Sequence, residues 1–179
     1  YNAFEPGDTR QDNAILDIEA FAARTGATYN EGYEHTGYFN RKYLPRKGDA
    51  NLGDANLTNP NNYRSIRFAD VLLMAAEAHN RKANPNDVLA QEYLNRVRRR
   101  AFGDLDHDIV ATSAALTEFI YAERRLELVG EGHRFFDLVR TGRAADEIPG
   151  FTPDKNELFP IPSIEIELAG NRWEQNQGY

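Results

Sequence analysis

Residues Glu123–Gly142 read ERRLELVGEGHRFFDLVRTG, two short apolar patterns that each run to a glycine, Gly130 and Gly142. Upstream, Leu116 and Ile120 share a stripe with Glu123 and Glu127 at offsets of four, three and four. This spacing predicts a helix from a cap at Thr112 or Ser113 to about Val129, with Phe119, Ala122, Leu126 and Val129 on the adjacent stripe. The two glutamates then project from the edge of an apolar face, where an unpaired charge is costly. Gly130 suits the position just past a helix end. After the turn at Glu131-Gly132, Phe135, Leu138 and Val139 predict a further short helix, with Arg134, Asp137 and Arg140 on its other sides.

Working toward the N-terminus, Ser65–Arg81 is predicted as a helix buried nearly all round. Its polar exceptions, Arg67, Asp70 and Glu77, fall on one narrow stripe with Met74 and call for polar partners on another helix. Asn84-Pro85-Asn86-Asp87 has the order of a cap, a first-position proline and a first-turn acid. It predicts a helix to about Ala101, buried through Leu89, Ala90, Tyr93, Leu94, Val97 and Ala101. The short connection makes these two helices an antiparallel hairpin. The outer side of the second carries Arg96, Arg98, Arg99 and Arg100, read as a solvated or ion-paired face. The tail segment Leu158–Pro162 (LFPIP) holds two prolines and is expected to insert Leu158, Phe159 and Ile161 into the body as an extended anchor, before Ser163 caps a last short helix.

Residues before the first of these helices are largely irregular. Asn13–Arg24 fits a short helix, with an extended conformation as the alternative. Tyr29, Tyr33, Tyr38 and Phe39 follow among glycines and polar residues. Such rings either pin a long loop to the body or offer stacking platforms to sugars, whose faces are apolar and rims polar. The unit Gly-Asp-Ala-Asn-Leu occurs twice, at 48–52 and 53–57, in a segment dense in turn formers. Asp49 and Asn51 begin a calcium-loop pattern that no suitably spaced glutamate completes. Asn56-Leu57-Thr58 fits the glycosylation triplet. Asp104, Asp106, His107 and Asp108 are better read as turn and capping residues than as a metal shell.

The 179 residues are 41 % apolar and carry a net charge of −7, which argues for a globular chain and against a nucleic-acid binder. No run of eighteen apolar residues is present, so no membrane-spanning helix is expected. Tyr1–Asn13 lacks the basic and apolar regions of a signal peptide, which leaves a cytosolic protein or one whose address has been removed. The absence of cysteine excludes disulfides, thiol nucleophiles and thiolate metal sites within these residues.

The four histidines are scattered, and no metalloprotease, nucleophile-elbow, phosphate-loop or dinucleotide motif occurs. Glu123, Glu127 and Glu131 are the one candidate catalytic set, since paired carboxylates hydrolyse glycosides. Their spacing equally suits ion pairing along one helix face. With Arg98, Arg124, Arg134 and Arg140 nearby, the preferred reading is a buried ionic hub. It comprises Arg67, Asp70, Glu77, Arg98, Glu123, Arg124, Glu127, Glu131, Arg134, Asp137 and Arg140 and fixes helix docking.

Several blocks together resemble the SusD/RagB family. They are Arg67-Phe68-Ala69-Asp70-Val71-Leu72-Leu73-Met74 with Ala76-Glu77-Ala78, then Leu94-Asn95-x-Val97-Arg98-x-Arg100-Ala101. Ile120-x-x-Glu123-Arg124-x-x-Glu127-Leu128 and Glu131-Gly132-x-Arg134 follow, then Asp137-Leu138-x-Arg140, LFPIP and Gln175-Asn176-x-Gly178-Tyr179. The blocks span about residues 64–179, and one departure is Gln177, where the family often has proline. The resemblance implies an all-α fold of tetratricopeptide-repeat-like helical hairpins with long irregular loops, in one domain that is loop-rich over 1–63 and helical over 64–179. It implies a surface lipoprotein of the outer membrane that binds an oligosaccharide or other nutrient for a SusC-type TonB-dependent transporter, with no cofactor and no metal. It further implies that the charged blocks are structural and that this chain corresponds to the C-terminal part of a longer protein, with the lipid anchor outside it. The expected function is glycan capture without catalysis. A helical protein-interaction scaffold and a glycoside hydrolase using Glu123 and Glu127 are the alternatives.

Overall fold

The computed structural model describes residues 1–44 and 61–179. The repeated units, the Asp49–Asn51 pattern and the Asn56 triplet lie outside the described residues. The contacts divide the chain into two compact units, Tyr1–Gly132 and His133–Tyr179.

The first unit contains α1 (Arg10–Ala14), β1 (Ile15–Asp17), α2 (Ile18–Thr25), β2 (Tyr38–Asn40), α3 (Phe68–Arg81), α4 (Asp87–Phe102) and α5 (Ser113–Glu127). Helices dominate, and the one sheet among the described residues pairs β1 with β2 antiparallel, with Leu16 opposite Phe39. α3 packs against both α4 and α5. The core is Ala69, Leu72, Leu73 and Ala76 of α3, Ala90, Leu94 and Val97 of α4, and Leu116 and Ile120 of α5. The alternation of leucines with alanines lets the helix axes approach closely.

Local chemistry sets the helix limits. The Asn86 side chain accepts from Leu89 N (3.0 Å) and caps α4, and Gly103 ends it in a left-handed conformation. Pro85 therefore precedes the cap, where the sequence pattern had it as the first helical residue. Asp87 then joins three helix ends. It accepts from Asn80 of α3 (2.9 Å) and from the Ser113 amide that opens α5 (2.7 Å). Both contacts hold its carboxyl below the usual range.

Further expectations need correction. Asn13–Arg24 is not one helix. Ile15–Asp17 is extended because β2 supplies hydrogen-bond partners from more than twenty residues away, and Asp17 caps α2 by accepting from Ala20 N (2.9 Å). α3 is not buried all round: Phe68, Val71 and Met74 are exposed, as is Ile66 just before the helix. On α4, Arg98 points into the unit and is 5 % exposed, because an internal carboxylate and a loop carbonyl receive it. Finally, LFPIP is no apolar plug, since Phe159 is 82 % exposed.

The second unit contains α6 (Arg134–Arg140), α7 (Ala144–Glu147) and α8 (Ser163–Leu168). Leu138 and Ala144 are its buried apolar residues. Its extended segment is held by polar contacts. Gln175 accepts from Ile161 N (2.7 Å) and donates to Ile161 O (2.8 Å), while Asn176 and Tyr179 donate to the carbonyls of Phe159 (2.6 Å) and Leu158 (3.0 Å). Ser163 is the first helical residue, with no capping bond from a side chain.

Gly130, just past α5, has φ of +75°, and its carbonyl accepts a hydrogen bond from Asn40 Nδ2 (2.7 Å). A Cβ there would lie 2.5 Å from that nitrogen. Gly130→Ala is expected to destabilise the protein by about 1–3 kcal/mol through left-handed strain and loss of the Asn40 bond, read by denaturant unfolding. Asn40→Gly in the same background is expected to remove the clash and leave the strain.

Candidate functional site

The polar centre of the first unit is a lattice built on three carboxylates, Glu123 and Glu127 of α5 and Glu131 of the following turn. Glu127 receives three guanidiniums: Arg67 on Oε1 (2.9 Å), and Arg10 (3.1 Å) and Arg100 (2.5 Å) on Oε2. Glu131 is gripped by Arg67 through two parallel bonds (2.7 and 2.8 Å) and by Lys42 Nζ (2.5 Å). Glu123, 1 % exposed, lies between Arg10 (2.5 Å) and Arg98 (3.0 Å). Arg10 also forks onto Asp8, and Arg98 reaches His107 O (2.7 Å) and Glu5 (3.0 Å). Beside the lattice, Arg124 pairs with Asp70 (2.8 Å), and Glu77 meets Arg81 and the Tyr121 hydroxyl. Arg134 pairs with Glu147 (2.7 Å) and Asp137 with Arg140 (2.8 Å), in each case inside the second unit.

The polar stripe on α3 thus meets α5, as its spacing requires. Asp8, Arg10 and Lys42 carry no sequence signal. Asp8 and Lys42 come from irregular segments, and Arg10, at the start of the short α1, finds Glu123 across 113 residues. Burial pushes the Glu127 carboxyl up, but Arg100 and Arg67 outweigh it and hold the group below its usual value. The same balance, through Arg67 and Lys42, lowers Glu131, and Arg10 lowers Asp8. At Lys42 burial wins and depresses the ammonium despite Glu131.

Asp104 closes its own turn by accepting from Asp106 N (3.1 Å) and His107 Nδ1 (2.8 Å), and Asp108 pairs with Arg99 (2.5 Å). No cluster of metal-ligating side chains occurs among the described residues.

The aromatic candidates separate into sets. Tyr38 and Phe39 are successive residues of β2 and project from opposite faces. Tyr38 stacks on Tyr1 (4.7 Å), whereas Phe39 lies beside His35 (5.8 Å), which in turn neighbours Tyr29 (5.5 Å). Tyr33, 95 % exposed, stands apart from both sets. Tyr1 and His35 are the members that loop position alone missed.

The helical unit and its charge lattice define an all-α class, and comparison with known proteins identifies it. The family model described as the SusD family matches residues 16–150, and the chain belongs to that family. SusD-like protein P38 of Formosa agariphila is 38 % identical over 123 residues, covering 63 % of this chain and 24 % of its own length. SusD-like protein P25 of the same organism is 37 % identical over 57 % of this chain and 21 % of its own. The chain thus spans about a quarter of the length of the curated relatives it matches. Among solved structures, a laminarin-binding SusD-like protein is 41 % identical with a TM-score of 0.81, over 100 % of this chain and 37 % of that one. Surface glycan-binding protein A from Bacteroides thetaiotaomicron, in complex with laminarihexaose, is 32 % identical with a TM-score of 0.79, over 98 % of this chain and 39 % of that one.

Glu127→Gln is expected to cost about 3–5 kcal/mol by stranding buried guanidiniums. Arg100→Gln is expected to cost under about 1 kcal/mol, because that side chain is 55 % exposed and screened. Both are read by chemical denaturation. The lowered carboxyls give stability that is present above the ordinary carboxylate range and lost as pH falls through their depressed values. The melting temperature should therefore drop in acid below about pH 4, and the drop should be smaller in Glu127→Gln.

Proposed function

We propose that the protein captures a glycan at the outer-membrane surface and passes it to a SusC-type TonB-dependent transporter, without altering it. The observation that carries the absence of catalysis is the state of the carboxylates. A glycosidase needs a general acid whose pKa is raised and which faces a cleft. Glu127 and Glu131 are instead lowered, and Glu123 is sealed between Arg10 and Arg98. The likeness to a laminarin-binding protein and to a laminarihexaose-bound relative supports a glycan as cargo. In this reading the hub is structural. Attachment to the membrane comes from a lipid anchor outside these cysteine-free residues.

Tyr29, Tyr33, Tyr38 and Phe39 are the stacking candidates within this chain. Tyr33 has both ring faces in solvent, and Phe39 extends the row through His35 to Tyr29. A pyranose laid on either gains apolar contact while its hydroxyls stay wet.

Laminarihexaose is expected to bind in calorimetry with no reducing sugar released on prolonged incubation. Tyr33→Ala and Phe39→Ala are each expected to weaken binding by roughly 1–2 kcal/mol, with unchanged melting temperature. Sugar release that Glu127→Gln abolishes would return the glycosidase reading. Silence toward a panel of neutral and charged glycans, with capture of a protein partner, would favour the interaction scaffold.

A further inference from the structure

The first unit contains a cavity of about 810 Å³ whose walls are strongly basic. Arg10, Arg41, Lys42, Arg64, Arg67 and Arg100 line it, against Glu127 and Glu131 as the acids among the described residues. In a chain of net charge −7 this concentration is unexpected. The lattice does not account for it. Arg10, Lys42, Arg67, Arg98 and Arg100 are balanced within the lattice by Glu5, Asp8, Glu123, Glu127 and Glu131. Arg41 and Arg64 are additional. Arg41 donates to the Asp12 carbonyl (2.7 Å), and Arg64 lies over the Tyr43 ring at 5.9 Å. Neither has an acidic partner among the described residues. Arg100 commits one amino group to Glu127 and leaves the rest of a half-exposed guanidinium free for other contacts.

Cations gathered around one cavity repel one another, and an oxyanion in their midst relieves that repulsion. Guanidinium suits this role because its planar fork matches carboxylate and sulfate oxygens in pairs. The cavity neighbourhood also offers a flat apolar surface. Tyr63 stacks with Tyr43 (6.1 Å), which carries Arg64, and its hydroxyl donates to Glu131 O (2.9 Å). That bond fixes a ring that is 64 % exposed. An anion-binding rim beside a fixed, exposed tyrosine has the two components needed by a sugar bearing a negative group.

We propose that this cavity binds an acidic sugar. Its carboxylate or sulfate ester is received by Arg41 and Arg64, with Arg100 behind them, and its ring rests on Tyr63. The site is distinct from Tyr29, Tyr33, Tyr38 and Phe39. The identification of the ligand as a sugar rests on the glycan-capture reading, whereas the anion site stands on the cavity alone.

The test is calorimetry with glucose, glucuronate, glucose 6-sulfate, inorganic sulfate and laminarihexaose on the wild type, Arg41→Gln/Arg64→Gln and Tyr63→Leu. The two charged sugars are expected to bind more tightly than glucose, with affinity that falls as salt rises. The double arginine variant is expected to lose roughly tenfold or more at unchanged melting temperature. Tyr63→Leu is expected to weaken the charged sugars and leave inorganic sulfate unaffected. Charged sugars that bind no better than glucose, or that bind the double variant as well as the wild type, would overturn the anion site. Inorganic sulfate that binds as tightly as glucose 6-sulfate would overturn its assignment to a sugar. Laminarihexaose separates the two readings. If it binds while the charged probes do not, glycan capture stands and this site falls. If only the charged sugars bind, and through the arginines, this site stands and neutral-glycan capture falls.

Discussion

Glu127 is the point on which the first unit closes. Its carboxylate receives Arg10 from α1, Arg67 from the start of α3 and Arg100 from α4, and its backbone carbonyl receives Lys42 from the chain after β2. α1, the start of α3, α4 and the segment after β2 thus each send a cation to the last residue of one helix. A buried carboxylate with that many donors is satisfied, and satisfaction is what makes so much buried charge tolerable. Hydrophobic packing of α3, α4 and α5 brings the helices together without dictating their partners uniquely. The lattice adds direction, because each fork fits only one carboxylate geometry. It also ties α1 and the Lys42 segment, which contribute little to the apolar core, onto the helices.

The helical half of this arrangement was legible in the sequence. Arg67, Asp70 and Glu77 interrupt an apolar helix at one spacing, Glu123 and Glu127 interrupt another, and charges in such positions must find each other. The other half was not, since Asp8, Arg10 and Lys42 lie in segments whose local pattern says only that they are polar. Their role arises from contacts across about a hundred residues, which no local periodicity records. The same cause defeats the reading of Asn13–Arg24, where β2 imposes an extended stretch from outside. Arg98 looked like a member of an outward basic row. A carboxylate at the core draws it inward, as its place in the ionic hub requires, although local periodicity alone does not distinguish it from Arg96, Arg99 and Arg100.

Loop position singles out the aromatic candidates, and strand geometry separates them. Alternation along β2 means that Tyr38 and Phe39 cannot serve one sugar together, and Tyr1 covers one side of the Tyr38 ring. In the proposed readings, exposed rings would meet neutral sugar faces and the basic cavity charged substituents, two different recognition chemistries on one unit. Stacking is tolerant of sugar identity, whereas paired guanidiniums select for charge. Their combination would let a weakly discriminating surface acquire preference at a single position.

The Gln175 amide has a consequence for how the second unit meets other chains. It satisfies both backbone groups of Ile161 at once, as a neighbouring strand would, and Pro160 and Pro162 flank that residue with no amide hydrogen to offer. The carbonyls of Leu158 and Phe159 are taken by Tyr179 and Asn176. An extended, largely exposed apolar segment would ordinarily be a template for intermolecular β-pairing. Here the Ile161 amide and the carbonyls of Leu158, Phe159 and Ile161 are already taken by side chains, so Phe159 and Leu158 can face solvent or a partner's surface with little left to template fibre-like growth.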